Sequence, residues 1–246
     1  MRPEPSIRTP RARPRRDGPA SGALAVTLAT LPVASGLSGC VPEGPPSERD
    51  PALGAGFRDD FEREQLGEAY RATSAAWQIE GGALCGRGAK NHGVWLTRRL
   101  PRDARITFDA WTTSTDGDLK VELWGDGKSH ATGNSYDDAT GYLAILGGWS
   151  NRRHVLARLD EHGDDRVVME VEPSATTGPA APVFAGRRYR FVIERDRDER
   201  LRWSVDGELV ASFDDPEPLA GPGHDHFGFN DWATPVCFDD LEVLPL

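Results

Sequence analysis

The chain is poor in cysteine, methionine and positive charge. Its 246 residues hold three Cys, two Met and 29 Lys plus Arg against 39 Asp plus Glu, a formal net charge of −10. No run of basic residues is dense enough to neutralise a row of phosphates, which excludes nucleic acid as a partner; an acidic surface favours solubility and neutral or cationic partners. Long apolar runs are missing as well. The most apolar stretch, residues 23–37, is about 15 residues long, short of the roughly 20 that a membrane-spanning helix needs. No window of a dozen residues repeats apolar side chains at helical spacing between capping signals, which excludes a helical core. Internal repeats are absent, and no Ser-His-Asp, Cys-His or phosphate-cradling pattern rises above chance spacing.

What is present begins with a leader. Residues 1–17, MRPEPSIRTPRARPRRD, carry six arginines and two acids and are followed by ALAVTLATLPVASGL, a basic n-region and an apolar h-region of a signal peptide. The h-region ends in LSGC, which resembles the bacterial lipobox. The resemblance implies that residues 1–39 are removed and that Cys40 is lipidated, its several acyl chains anchoring the protein in a lipid bilayer. Val41 stands where an Asp would signal inner-membrane retention, so the expected address is the outer membrane. Arg15 and Arg16 lack the apolar residues that follow a twin-arginine signal, which leaves general secretory export. Losing residues 1–39 moves the charge balance to −14. Residues 40–56, rich in Pro, Gly and charge, read as the lipidated Cys and a flexible tether, and 57–246 as one domain. In an oxidising compartment the two remaining cysteines, Cys85 and Cys237, are expected to form a disulfide, with two buried thiols as the alternative. Closing so long a loop stabilises by up to ~5 kcal/mol in the chain-entropy model.

Within the domain, short runs alternate apolar and polar residues between Gly, Asp and Pro. Ile106, Phe108 and Ala110 share a face, as do Leu119, Val121 and Leu123, Tyr189, Phe191 and Ile193, and Leu201, Trp203 and Val205. Many half-buried strands need a second sheet to cover them, so the expected fold is all-β, a two-sheet jelly-roll sandwich. WQIEGGALCGRG, residues 77–88, and the closing run HDHFGFNDWATPVCFDDLEVLPL resemble the concanavalin A-like lectin/glucanase superfamily, nearest to bacterial domains described as family 16 glycosidase-related or 3-keto-disaccharide hydrolase-like. Phe238, Asp240, Leu241 and Val243 match the closing strand, and Asp206-Gly207 the turn of a late hairpin. The resemblance implies a concave sheet face that often binds carbohydrate; by itself it implies no catalysis.

Catalysis would need two carboxylates on one face, and the superfamily's Glu-x-Asp-x-x-Glu type of motif is missing. Asp118 with Glu122, and Glu170 with Glu172, are the weak candidates. In GHDHFGFNDW, residues 223–232, Phe227 and Phe229 should point inward, leaving His224, His226, Asn230 and Trp232 on the other face. Two histidines two apart could chelate a metal, line a sugar site, or face water, and no third ligand is evident. By the same alternation Trp111 and Trp124 point away from the core, and Trp149 and Asn151 follow a Gly-Gly pair. Flat indoles beside Asn, Asp and His suit a pyranose, so these eight residues form the expected carbohydrate site. The long polar insertion from Trp124 to Tyr142, with Asp137-Asp138, is either a lid over that face or a calcium loop. The leading expectation is carbohydrate binding without hydrolysis; the alternatives are a glycoside hydrolase and a structural module of the envelope.

Overall fold

The computed structural model describes residues 47–198 and 200–246. The expected signal peptide, Cys40 and the first part of the expected tether lie outside the described residues. Among the described residues no helix is long and apolar enough to cross a membrane.

Two antiparallel sheets face each other. The first holds β1 (Phe57–Asp59), β3 (Trp77–Glu80), β4 (Ala83–Arg87), β6 (Ala104–Thr112), β11 (Tyr189–Arg195), β12 (Arg200–Val205), β13 (Glu208–Asp214) and β15 (Pro235–Pro245), in the order β13-β12-β11-β6-β15-β4-β3 with β1 paired to β15. The second holds β2 (Tyr70–Ala72), β5 (Val94–Leu96), β7 (Leu119–Gly125), β8 (Tyr142–Gly147), β9 (Arg153–Arg158), β10 (Arg166–Glu170) and β14 (His226–Asn230), in the order β10-β9-β8-β7-β14-β5-β2. This is the expected all-β sandwich, and it follows from the period-2 pattern: Ile106, Phe108, Ala110, Phe191, Ile193, Leu201 and Trp203 are all buried between the sheets. Rings bridge the layers, with Phe229 of β14 at 4.5 Å from Phe238 of β15 and 5.5 Å from Phe108 of β6. Each such side chain, fully removed from water, contributes about 1.5–3 kcal/mol.

Cys85 of β4 and Cys237 of β15 face each other in register and form the disulfide, joining positions 152 residues apart. The packed chain begins earlier than its composition indicates. Ser47–Arg49 form a short 3-10 turn, Asp50 is buried against Arg71, and Leu53 enters the core, so residues 47–56 lie on the sandwich rather than in a free tether.

Alternation fails in two places, each for a local reason. Trp124, expected outside, is fully buried between the sheets. Pairing between β14 and β7 slips at His226/Phe227, so that Phe227 faces Leu123 and His226 faces Gly125, and Trp124 becomes the extra residue of a bulge with φ 50°. The bulge turns the indole inward, where its N–H donates to Pro101 O at 3.1 Å and the Arg195 guanidinium lies 3.9 Å from its ring centre. Outside the second sheet, the insertion at residues 126–141 is a lid. Its Ala131, Tyr136 and Ala139 pack on Leu143 and Ile145 of β8 and Val155 and Ala157 of β9 as a second small core. That is why β7 and β8 are buried on both faces.

Candidate functional site

Four of the expected residues are tied up by internal contacts, three of them with the lid or with Asp50. His226 is buried with Nε2 3.2 Å from Asp50 Oδ2, and with Nδ1 2.8 Å from Asp225 Oδ1, close in distance but off-line for a hydrogen bond. His224 holds its Nδ1 2.6 Å from Thr140 O of the lid. Asn230 is buried, its Oδ1 accepting the Asp231 N–H at 2.7 Å. Glu122 is sealed: its carboxyl meets the Tyr136 hydroxyl at 2.5 Å and accepts the Thr140 N–H at 3.2 Å. Burial pushes its pKa up to about 8 against those hydrogen bonds, so it is a neutral acid at pH 7.

The others lie apart. Trp111 is on the outer face of the first sheet, beside the disulfide and with the Arg188 guanidinium 4.0 Å from its ring centre. Glu170 and Glu172 are exposed, the former paired with Arg153 at 3.0 Å and the latter taking the Ser174 hydroxyl at 2.7 Å. The expected single patch of eight residues therefore does not exist. The lid carboxylates serve the lid's own turns: Asp126 accepts from Lys128 N and Ser129 N, and Asp138 from Thr132 N and Oγ1. Among the described residues no group of three or more His, Cys, Asp or Glu is placed to hold a metal ion.

Trp149, Trp232 and Asp118 do come together. They line a cleft of about 450 Å³ at one end of the second sheet, with Asp116, Lys120, Glu161 and His162 as its other ionisable residues and Asn134 and Ser135 reaching it from the lid. Lys120 points outward from β7 by simple alternation and is 2 % exposed. Its ammonium donates to Asn91 Oδ1 and Glu161 Oε2, both at 2.8 Å. Burial works against that charge, but Asp118, Glu161 and Asp231 together outweigh it and hold the lysine pKa above its ordinary value. Glu161 also accepts the Tyr136 N–H at 3.0 Å and lies 3.3 Å from His162 Nε2. Burial pushes its pKa up, and Lys120 with the Tyr136 N–H pulls it further down, so it stays ionised. Asp231, buried just below, is raised to about 6 by burial and by Asp118.

Trp149 reaches the cleft through unusual backbone. Gly148–Asn151 form a left-handed turn in which Trp149, Ser150 and Asn151 have φ of 53°, 57° and 60°. Side chains at such φ cost roughly 1–2 kcal/mol each, and strain of this kind collects at functional sites. Asn151, expected to touch sugar, is instead the clamp of this turn. Its Oδ1 accepts Val183 N–H at 2.8 Å, and its amide donates to Val183 O at 2.8 Å and Thr115 O at 3.0 Å. His154 supports the same turn from below, its Nδ1 accepting the Gly147 N–H at 2.9 Å and its Nε2 facing Ala181 O at 3.1 Å. Burial lowers its pKa and keeps it neutral. Asn151→Ala removes all three clamp bonds and leaves an alanine at positive φ, so a loss of roughly 2–3 kcal/mol is expected in urea denaturation, with weaker ligand binding at the cleft. Wild-type stability in that variant would show that the strain is held elsewhere.

Solved structures share this architecture. A carbohydrate-binding module, CBM66, from Bacillus subtilis superposes with a TM-score of 0.52 at 15% identity, covering 72% of this chain and 95% of that one. The carbohydrate recognition domain of Emp47p gives 0.53 at 11% identity, over 77% and 94%. A β-1,3-1,4-glucanase (lichenase) derived from a mouse hindgut metagenome gives 0.51 at 10% identity, over 78% and 100%. No family model and no curated relative matches the sequence. At these identities the likeness establishes the jelly-roll fold that lectin domains and glucanases share, and it assigns no site.

Sequence reasoning missed Glu161 and His162. Their signal was the polar tetrad Asp160-Glu161-His162-Gly163 between two strands, which reads as an ordinary turn until folding brings it beside β7. Lys120 was visible as the one cation between Asp118 and Glu122 on an otherwise acidic strand face.

Proposed function

We propose that the protein binds carbohydrate in the cleft between Trp149 and Trp232 without cleaving it, and that lipidation at Cys40 holds it at the cell envelope, in the outer membrane. The observation that carries the binding reading is the meeting of two part-buried indoles with Asp118, Lys120, Asn134 and Ser135 in one cleft outside a lectin-type sandwich. Indole rings stack on the C–H faces of a pyranose while the polar groups take its hydroxyls. Two of the similar structures are by name carbohydrate-binding, which adds support from fold. The lipid anchor is supported by the n-region, the h-region and LSGC.

Hydrolysis fits the arrangement less well. A glycosidase needs one protonated and one ionised carboxyl flanking the scissile bond. The protonated acid here, Glu122, is sealed under Tyr136 and Thr140, and the ionised Glu161 is committed to Lys120. Calorimetric titration with a panel of soluble oligosaccharides is the test. A binder should emerge whose affinity falls at least about tenfold on Trp232→Ala or Trp149→Ala, as expected for an aromatic anchor, with no reducing sugar released. Release of sugar that disappears in Glu161→Gln would replace binding by hydrolysis.

A further inference from the structure

We infer that the cleft selects a glycan bearing a free amine, a 2-amino-2-deoxy sugar unit with its nitrogen protonated, over neutral or acidic sugars; this rests on the carbohydrate reading of the same cleft. Four formal charges line it besides His162: Asp116, Asp118 and Glu161 against Lys120. Lys120 and Glu161 neutralise each other at 2.8 Å. Asp116 and Asp118 form no ion pair within 4 Å among the described residues, and although Asp118 also helps to hold the Lys120 charge, the lining keeps a formal excess of negative charge.

Asp118 is held for this role. Its backbone has φ 71°, its N–H donates to Gly147 O at 3.0 Å beside the left-handed turn, and its Oδ2 accepts the backbone N–H of Trp232 at 3.3 Å. The carboxylate therefore stands at the backbone of the residue whose indole would stack the sugar, and its other oxygen accepts no hydrogen bond among the described residues. Both indoles already attract cations: Lys90 Nζ lies 4.3 Å from the Trp232 ring centre and the Arg166 guanidinium 5.9 Å from that of Trp149. Neither of those cations lines the cleft.

The buried ammonium supplies the complementary contact. Lys120 has three protons and two protein acceptors, Asn91 and Glu161, so one N–H lacks a protein acceptor among the described residues although the residue is 2 % exposed and lines the cleft. A ring hydroxyl is the acceptor that fits it. A ligand carboxylate would fit that N–H too, but would then meet Asp118 and Asp116. An amino sugar offers both partners, a hydroxyl for Lys120 and an ammonium for Asp118.

The experiment compares four tetrasaccharides by calorimetry at pH 6: β-1,4-glucosamine, its N-acetylated form, cellotetraose and tetragalacturonate, with tetralysine as a cationic control. Expected is at least roughly tenfold tighter binding of the glucosamine tetramer than of the two neutral tetramers, as for one charge-assisted hydrogen bond. Asp118→Asn, which keeps a residue tolerant of positive φ and so spares the fold, should erase that preference, bringing the glucosamine tetramer to within about twofold of the neutral tetramers bound by the same variant. Equal or tighter binding of a neutral or acidic tetramer, or tetralysine competing as well as glucosamine, overturns the amine preference and leaves the carbohydrate reading standing. Binding of none of the four overturns both.

Discussion

Lys120→Met should cost about 3–5 kcal/mol of stability, the largest effect expected from a single side chain outside the apolar core. The lysine sits under the lid at the centre of an acidic set, with Glu161 bonded to it and Asp118 and Asp231 close enough to raise its pKa. Methionine conserves volume but strands those carboxylates. Glu161 would keep a charge in a largely buried position with only the Tyr136 N–H and His162 to answer it. Asp231, already raised to about 6, would be driven higher by the loss of the Lys120 charge that lowers it. The loss should be visible as a fall in the urea midpoint at pH 7. Pairing Lys120→Met with Glu161→Gln should restore much of it, because a neutral pair leaves no isolated charge. A single variant within 1 kcal/mol of wild type would refute this account of the cluster.

Raising the pH should open the lid through Glu122. Its folded pKa of about 8 lies above the ordinary value of 4.5, so the folded protein holds a proton that the unfolded chain has released between those values. Stability from this group is therefore complete below about pH 4.5, declines as pH rises towards 8, and is gone above it. At about 1.36 kcal/mol per unit the full window is worth up to about 5 kcal/mol, less whatever the lid recovers by admitting water. Glu122→Gln has no proton to lose and should flatten the alkaline slope, overtaking the wild type near pH 9. Limited proteolysis would report the same event as cleavage within residues 126–141 that appears at pH 9 and not at pH 6. Identical pH profiles for the two proteins would refute the assignment.

The sandwich was legible because its strands obey one rule. Ile106, Phe108, Phe191, Ile193, Leu201 and Trp203 alternate without interruption, and the two sheets follow from them. Cys85 and Cys237 follow from compartment chemistry, since the only other cysteine was assigned to the anchor. The site was only partly legible. Trp149, Trp232 and Asp118 were within reach as outward or turn residues beside polar neighbours. Trp124 was not, because a bulge shows in pairing and not in composition. His226 and Asn230 point outward as alternation requires, yet both are buried, His226 against Asp50 and Gly127 of the lid and Asn230 beside Gly93. Nothing local distinguishes a polar insertion that packs its own small core from one that waves in solvent; Ala131, Tyr136 and Ala139 are too few and too spaced to form a pattern. Glu161 reaches the cleft by long-range folding alone, 41 residues from its partner Lys120.

For the carbohydrate reading proposed above, the lid also bears on the length of guest that fits. An uncovered concave sheet is a trough through which a polymer can pass with both ends free. Here residues 126–141 roof the middle of β7, β8 and β9, with Tyr136 fully buried beneath that roof and the lid's Asn134 and Ser135 standing at the edge of the cleft. Under the carbohydrate reading proposed above, a chain lying past Trp149 and Trp232 would meet that edge, so termini and short branches should be held better than chain interiors, and the number of free ends in a polysaccharide sample, more than its mass, should set how much of it is captured.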